Sequence, residues 1–207
     1  TMRSGIGYDN DGDEEEDILA GYPSELIRFI VERPMADDPG TRTIYKNSDP
    51  QLLAKVIVNA TRQDLVRFAD ENLFAPLGVR NYFWSRFHDG MPFGGFGLWL
   101  VPRDLAKFGQ LILQKGAWGS KQIVSEDWIK EATATRTICG ANEYGYYFWK
   151  DSRKNYNWCW GHAGQFIFIL PEKNMVVVVT SDQFADVVGT TLEEATRIME
   201  MATNAVK

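Results

Sequence analysis

Few side chains in this sequence are of a type and spacing that could do chemistry, and His162 is the first to consider. It stands in Trp158-Cys159-Trp160-Gly161-His162-Ala163-Gly164-Gln165, which runs on into Phe166-Ile167-Phe168-Ile169-Leu170. From Phe166 to Leu170 both pleat faces are apolar, the pattern of a central strand covered on two sides. Counting by twos upstream places Trp158, Trp160, His162 and Gly164 on one face. An imidazole able to carry a proton would then sit at the head of a buried strand. Gly161 and Gly164 leave the backbone open to a close-approaching group. Taken alone, such a histidine is more often a hydrogen-bonded strand residue than a proton carrier.

Other chemistries find less support. Cys139 and Cys159 with two histidines could in principle hold zinc, but no C-x-x-C or H-x-x-x-H spacing exists, so no metal site is expected. The same two cysteines leave open a single disulfide, and their spacing says nothing about compartment. The acidic run Asp9–Asp17 places its glycine at the wrong offset for a calcium loop and reads as a solvated loop. Phe93-Gly94-Gly95-Phe96-Gly97 is not a phosphate loop, since no Lys-Ser/Thr follows the glycines. No serine is followed by lysine at the third position, and no G-x-S-x-G elbow is present. The net charge of −6 argues against a nucleic-acid partner, and no apolar run reaches the ~20 residues of a membrane span. No cofactor is indicated.

The 207 residues are 44% apolar and 24% charged, enough for a real core. The elements that would position His162 change type along the chain. Ser24 can cap a helix to about Glu32, with Leu26, Ile27, Ile30 and Val31 on one side and Pro34 as its stop. Asp49 as cap and Pro50 at the first position open a helix to about Asn59 with Leu52, Leu53, Val56 and Ile57 as its apolar stripe. Thr61 with Asp64 signals another to about Phe74, ended by Pro76 and Gly78. Loops near a cleft are expected from Arg80 to Leu100. Pro102 starts a helix to Gln114 that Gly116 ends, and Ser125 caps a short one. Three strands follow, Tyr144–Lys150, Tyr156–Leu170 and Met175–Ser181, as an antiparallel meander. A helix from Thr191 to about Val206 carries Leu192, Ala195, Met199, Ala202 and Val206 on one stripe, suited to packing on that sheet. The fold class is therefore α+β. Residues 1–130 form a mostly helical region with cleft loops and residues 131–207 the strands and last helix, together one composite domain with a cleft of the kind where sites form.

Several pieces then agree with a known family. Thr1-Met2-Arg3-Ser4-Gly5, Pro39-Gly40-Thr41 leading to Tyr45-Lys46-Asn47, Leu73-Phe74-Ala75-Pro76-Leu77-Gly78, Asp104-Leu105-Ala106-Lys107-Phe108 and His162-Ala163-Gly164 occur in an order and spacing that resembles the serine β-lactamase and penicillin-binding-protein superfamily. The likeness is greatest to its class C-like branch of esterases and amide hydrolases, including 6-aminohexanoate-dimer hydrolases. It implies a β-lactamase/transpeptidase-like fold and hydrolysis of a small ester or amide through an acyl-enzyme. Under that resemblance Tyr45 is the general base or proton relay, although a free tyrosine titrates near ~10 and needs nearby cations or concerted transfer at neutral pH. Asn47 orients a substrate carbonyl or a lysine. His162 stands where a K-T-G triplet has its lysine and is not a permanent cation. Gly164 admits substrate, and the Gln165 N–H is an oxyanion donor. Lys46 replaces a small residue and is read as solvent-facing. Trp99, Tyr147, Trp149 and Trp158 are candidates for pocket lining, against the more common core role of aromatic residues at strand spacing.

The family nucleophile belongs to a Ser-x-x-Lys motif, which these residues lack. The expectation is a C-terminal portion of such a hydrolase, incomplete at its N-terminus and inactive alone. The alternative is a non-catalytic binding or interaction protein. Self-association, or dependence on a missing N-terminal segment, is expected from apolar faces left uncovered. The sequence leaves the compartment open, bacterial cytoplasm or periplasm.

Overall fold

The computed structural model describes residues 1–7, 26–182 and 189–206, so the acidic run, the Ser24 cap and the last residue lie outside the described residues. Two compact units emerge, Thr1–Trp99 and Leu100–Lys207.

In the first unit, backbone pairing ties the opening segment to residues 36–44. Gly5 O accepts from Ala36 N (2.9 Å) and Asp37 N (3.2 Å), Gly40 N donates to Arg3 O (2.8 Å) and Ile44 N to Met2 O (3.0 Å). Gly5 has φ +78, and a Cβ there would stand 2.2 Å from the Asp37 carbonyl oxygen, so only glycine lets the two segments close. Helix α1 (Leu26–Val31) buries Leu26 and Ile30. Helix α2 (Ser48–Thr61) starts earlier than its Asp-Pro signal suggests. Asn47 is its N-cap and Asp49 lies inside the first turn, where Pro50 is tolerated. Its buried residues are Ser48, Asp49, Gln51 and Ala54, while Leu53 and Val56 of the expected apolar stripe are exposed. The polar partners waiting at the N-terminus of α2 decide which face turns inward. Thr61 ends α2, with Arg62 left-handed after it. Asp64, not Thr61, caps α3 (Leu65–Ala69) by accepting from Val66 N and Arg67 N. A π-helical turn, Asp70–Phe74, continues it. Strand β1 (Tyr82–Trp84) pairs with β2 (Leu98–Leu100).

In the second unit apolar periodicity governs. Helix α4 (Pro102–Leu113) has Pro at its start and left-handed Gly116 (φ +85) beyond its end. A small hairpin, β3 (Ala117–Trp118) with β4 (Lys121–Gln122), leads to α5 (Glu126–Thr133), whose cap Ser125 accepts from Trp128 N. The six-stranded antiparallel meander then runs β5 (Thr137–Cys139), β6 (Asn142–Tyr144), β7 (Trp149–Asp151), β8 (Tyr156–Gly161), β9 (Gln165–Leu170) and β10 (Met175–Val179), each strand beside its sequence neighbour. The meander is as expected, but Tyr144–Lys150 and Tyr156–Leu170 each divide in two. Tyr147 is left-handed (φ +64) between β6 and β7, and a reversal at residues 162–164 separates β8 from β9.

Strand β9 is interior and apolar on both faces, the reason its sequence does not alternate. Ile167 and Ile169 pack with Ile112, Ile129 and Phe148, joined by Leu105 and Phe108 of α4. Gly109 lets α4 come close to the sheet, because a Cβ there would meet Ile167 and Val176 side chains at 2.9 and 2.6 Å. Phe166 and Phe168 on the other face are fully buried and continue an aromatic layer through Tyr156 and Trp160. Each such burial contributes about 1.5–3 kcal/mol. Helix α6 (Leu192–Ala205) packs on β10 with Ala195 and Met199 buried, and its start is a full capping box between Thr191 and Glu194.

Candidate functional site

In the first unit the Tyr45-Lys46-Asn47 segment leads directly into α2. Tyr45 is at the surface, 37% exposed, whereas Lys46 is 1% exposed, which corrects its reading as solvent-facing. The Lys46 ammonium donates to Ile6 O at 2.6 Å and lies 3.6 Å from Asp49 Oδ1. Asp49 Oδ2 in turn accepts from Ser4 N at 3.3 Å. The buried ammonium is thus paired with a carbonyl and a carboxylate, and it ties the opening segment to the turn that carries Tyr45 and Asn47. Asn47 makes no capping hydrogen bond with its side chain. The amide lies against Gly95 instead, where a Cβ would stand 2.9 Å from Asn47 Oδ1. Gln51, 3% exposed, holds that glycine loop with both ends of its amide: Oε1 accepts from Gly94 N (2.5 Å) and Nε2 donates to Pro92 O (3.2 Å). Two residues apart, a phenol and a carboxamide are thus presented from one braced turn, a donor–acceptor pair suited to moving a proton and orienting a carbonyl.

In the second unit, His162-Ala163-Gly164 is the loop of the β8–β9 hairpin, with Gly161 opposite Gln165 in register. This corrects the expectation of one continuous strand: two successive left-handed residues, Ala163 (φ +53) and Gly164 (φ +86), reverse the chain. His162 is exposed and Gly164 buried. Gly164 has no room for a side chain, since a Cβ would stand 2.4 Å from Thr190 O, and the loop backbone packs closely there. The Gln165 side chain donates to Ser181 O at 2.8 Å and accepts from Ser181 N at 3.4 Å. Trp149 and Trp158 are 8% and 2% exposed and belong to the core, whereas Trp99 is 44% exposed. Tyr147 is half-buried at its left-handed bend.

Both cysteines are free thiols. Burial pushes the Cys159 thiol up to about 12 and raises that of Cys139 as well, so neither offers a thiolate nucleophile at neutral pH. Among the described residues no group of three His, Cys, Asp or Glu could hold a metal ion, and no helix is long and apolar enough to cross a membrane.

The structure therefore brings Tyr45 and Asn47 together in one unit, and His162, Gly164 and Gln165 in the other. Sequence reasoning missed Lys46, Asp49, Gln51 and Ser181 as the groups that hold them. The one available signal was the run of polar residues from Lys46 to Gln51 at the head of a helix, where an inward polar face was not considered.

A family model described as Beta-lactamase matches residues 1–197. A protein of Escherichia coli O157:H7 assigned as a D-alanyl-D-alanine carboxypeptidase is 23% identical over 155 residues, 54% of this chain and 36% of that protein. The chain thus spans about a third of the length of that curated relative. A solved structure from Bacillus anthracis assigned as a 6-aminohexanoate-dimer hydrolase matches with TM-score 0.77 and 22% identity over 97% of this chain and 56% of that one. A penicillin binding protein from Bacillus halodurans matches with TM-score 0.78 and 18% identity over 98% and 72%. These likenesses show a shared β-lactamase/transpeptidase-like fold, and with the family match over nearly the whole chain they lead to one conclusion: the chain belongs to the beta-lactamase family.

Proposed function

We propose that the protein hydrolyses a small ester or amide by acyl transfer, with Tyr45, Asn47 and the His162–Gln165 hairpin serving the reaction and a Ser-x-x-Lys serine outside these 207 residues attacking the acyl carbon. The observation that carries this reading is the braced turn of the first unit. A buried cation and two buried polar side chains are committed to presenting Tyr45 at the surface and Asn47 beside a glycine loop. Buried polar groups are costly unless paired, and here their pairing fixes a geometry.

In the proposed sequence the serine hydroxyl adds to the acyl carbon while its proton passes to Tyr45, and the carbonyl oxygen becomes an oxyanion. Collapse expels the alcohol or amine, which takes the proton back. Water then repeats the addition on the acyl-enzyme and releases the acid. The names of the relatives suggest acyl groups from peptides, lactams or linear amides, all of which this fold accommodates.

The test is hydrolysis of p-nitrophenyl esters and a chromogenic cephalosporin by polypeptide that includes whatever the gene encodes ahead of Thr1. Tyr45→Phe is expected to lower kcat by about 10²–10⁴ with KM little changed, the range for loss of a positioned acid–base group. The absence of Ser-x-x-Lys from these residues favours a second reading, a non-catalytic binding protein. Saturable ligand binding with no turnover and no acyl adduct would establish that instead.

A further inference from the structure

The hairpin that carries His162 is held by a brace that lies outside every motif in the sequence. Ser181 Oγ donates to Gly164 O at 3.3 Å, shares a 2.5 Å hydrogen bond with Thr190 Oγ1 and accepts from Thr190 N at 3.4 Å. A hydroxyl has one proton and two lone pairs, so donation to Gly164 O with acceptance from the Thr190 hydroxyl and amide uses its whole capacity. The Ser181 backbone is engaged too, its N–H and C=O closing a reciprocal pair with the Gln165 carboxamide. The second contact is steric. A Cβ on Gly164 would lie 2.4 Å from Thr190 O, and one on Gly189 would lie 2.0 Å from Ala163 O, so the loop and the 189–190 backbone touch without side chains between them. The loop needs such support, because Ala163 and Gly164 are left-handed in succession and Ala163 carries a Cβ.

We infer that Ser181, with Thr190 as its partner, is a positioning residue that sets the conformation of the His162–Gln165 hairpin. In the reaction proposed above, on which this inference rests for its functional meaning, Ser181 acts through the hairpin and touches no reacting atom. Two residues after the end of β10, it converts the register of β9 and β10 into the orientation of a loop.

Hydrogen exchange of the 207-residue chain tests this directly. Ser181→Ala should speed exchange of the amides at 163–166 about ten-fold, the loss of one well-satisfied hydrogen bond, while amides of β9 beyond Ile167 and the thermal midpoint move little. Ser181→Thr, which keeps the hydroxyl, should restore protection, and Thr190→Ala should reproduce part of the loss. Unchanged protection at 163–166 in Ser181→Ala, with the sheet intact, overturns the brace. Ester turnover by the polypeptide of the preceding test separates the two claims. A loosened hairpin with about ten-fold lower kcat and unchanged KM supports both. A loosened hairpin with unaltered turnover keeps the brace and overturns the hairpin's part in the reaction.

Discussion

The two units hold their candidate residues by opposite means. In Thr1–Trp99 the turn bearing Tyr45 and Asn47 rests on buried polar groups, Lys46, Asp49 and Gln51, and on backbone pairing with residues 2–6. In Leu100–Lys207 the His162 hairpin projects from a sheet filled by Phe166, Ile167, Phe168 and Ile169, and Ser181 adds polar contacts at its tip. An apolar core stabilises without dictating where a particular hydroxyl or amide points. A buried polar network stabilises less and dictates more. The first unit therefore spends stability on geometry, and the second adds a small polar brace to a region that is already stable.

Substitutions can break this contrast, and the largest effect is expected in the second unit. Phe168→Ala, at a fully buried position, should lower its unfolding free energy by about 3–5 kcal/mol in urea melts, the range for a large aromatic residue lost from a core. Next comes Lys46→Met, expected to cost about 3 kcal/mol because it leaves the Asp49 carboxylate buried without its cation. The contrast sharpens in the double variant Lys46→Met with Asp49→Leu. If the network serves geometry, the double variant should recover much of the stability yet not the ester turnover. Recovery of both would show the network to be replaceable packing.

How much of this was legible in the sequence follows the same division. The meander, α4, the Ser125 cap and the last helix were read correctly because period-2 and period-3.6 patterns report apolar burial, and the second unit is organised by it. Splitting 156–170 into two strands was missed, since Ala163 carries no sign that it can be left-handed and the reversal depends on contacts with residues 181, 189 and 190. In the first unit the pattern misled. Leu53 and Val56 announced a buried stripe on α2, but Gln51 and Asp49 have long-range partners at Pro92, Gly94 and Ser4 that a local period cannot report. Tyr45, Asn47 and His162 were proposed from motif order, while the residues that hold them in place left no motif to read.

Smaller effects concern the ends of elements. Thr191→Ala removes a full capping box and should destabilise the second unit by about 1 kcal/mol in the same melts. In the first unit the Arg86 guanidinium beside Asp64 holds its carboxyl below the usual carboxylate range. A lowered folded value means that the stabilisation is fully present above the unfolded value near ~3.9 and is lost as pH falls through the folded one. Arg86 and Asp64 side chains are 39% and 43% exposed, so the gain is under about 1 kcal/mol. Melts of wild type and Arg86→Ala should differ by that amount from pH 5 to 7 and converge below the lowered pKa. A difference that persists at low pH would assign Arg86 to packing rather than charge.

The central claim, that these residues serve acyl transfer without supplying the nucleophile, is tested most directly by intact-mass analysis after fluorophosphonate labelling. The account predicts no adduct on the 207-residue chain, and one stoichiometric adduct on a Ser-x-x-Lys serine when the polypeptide includes the residues the gene encodes ahead of Thr1, slowed by Tyr45→Phe. An adduct on any serine within the 207 residues, or labelling indifferent to Tyr45→Phe, would contradict it.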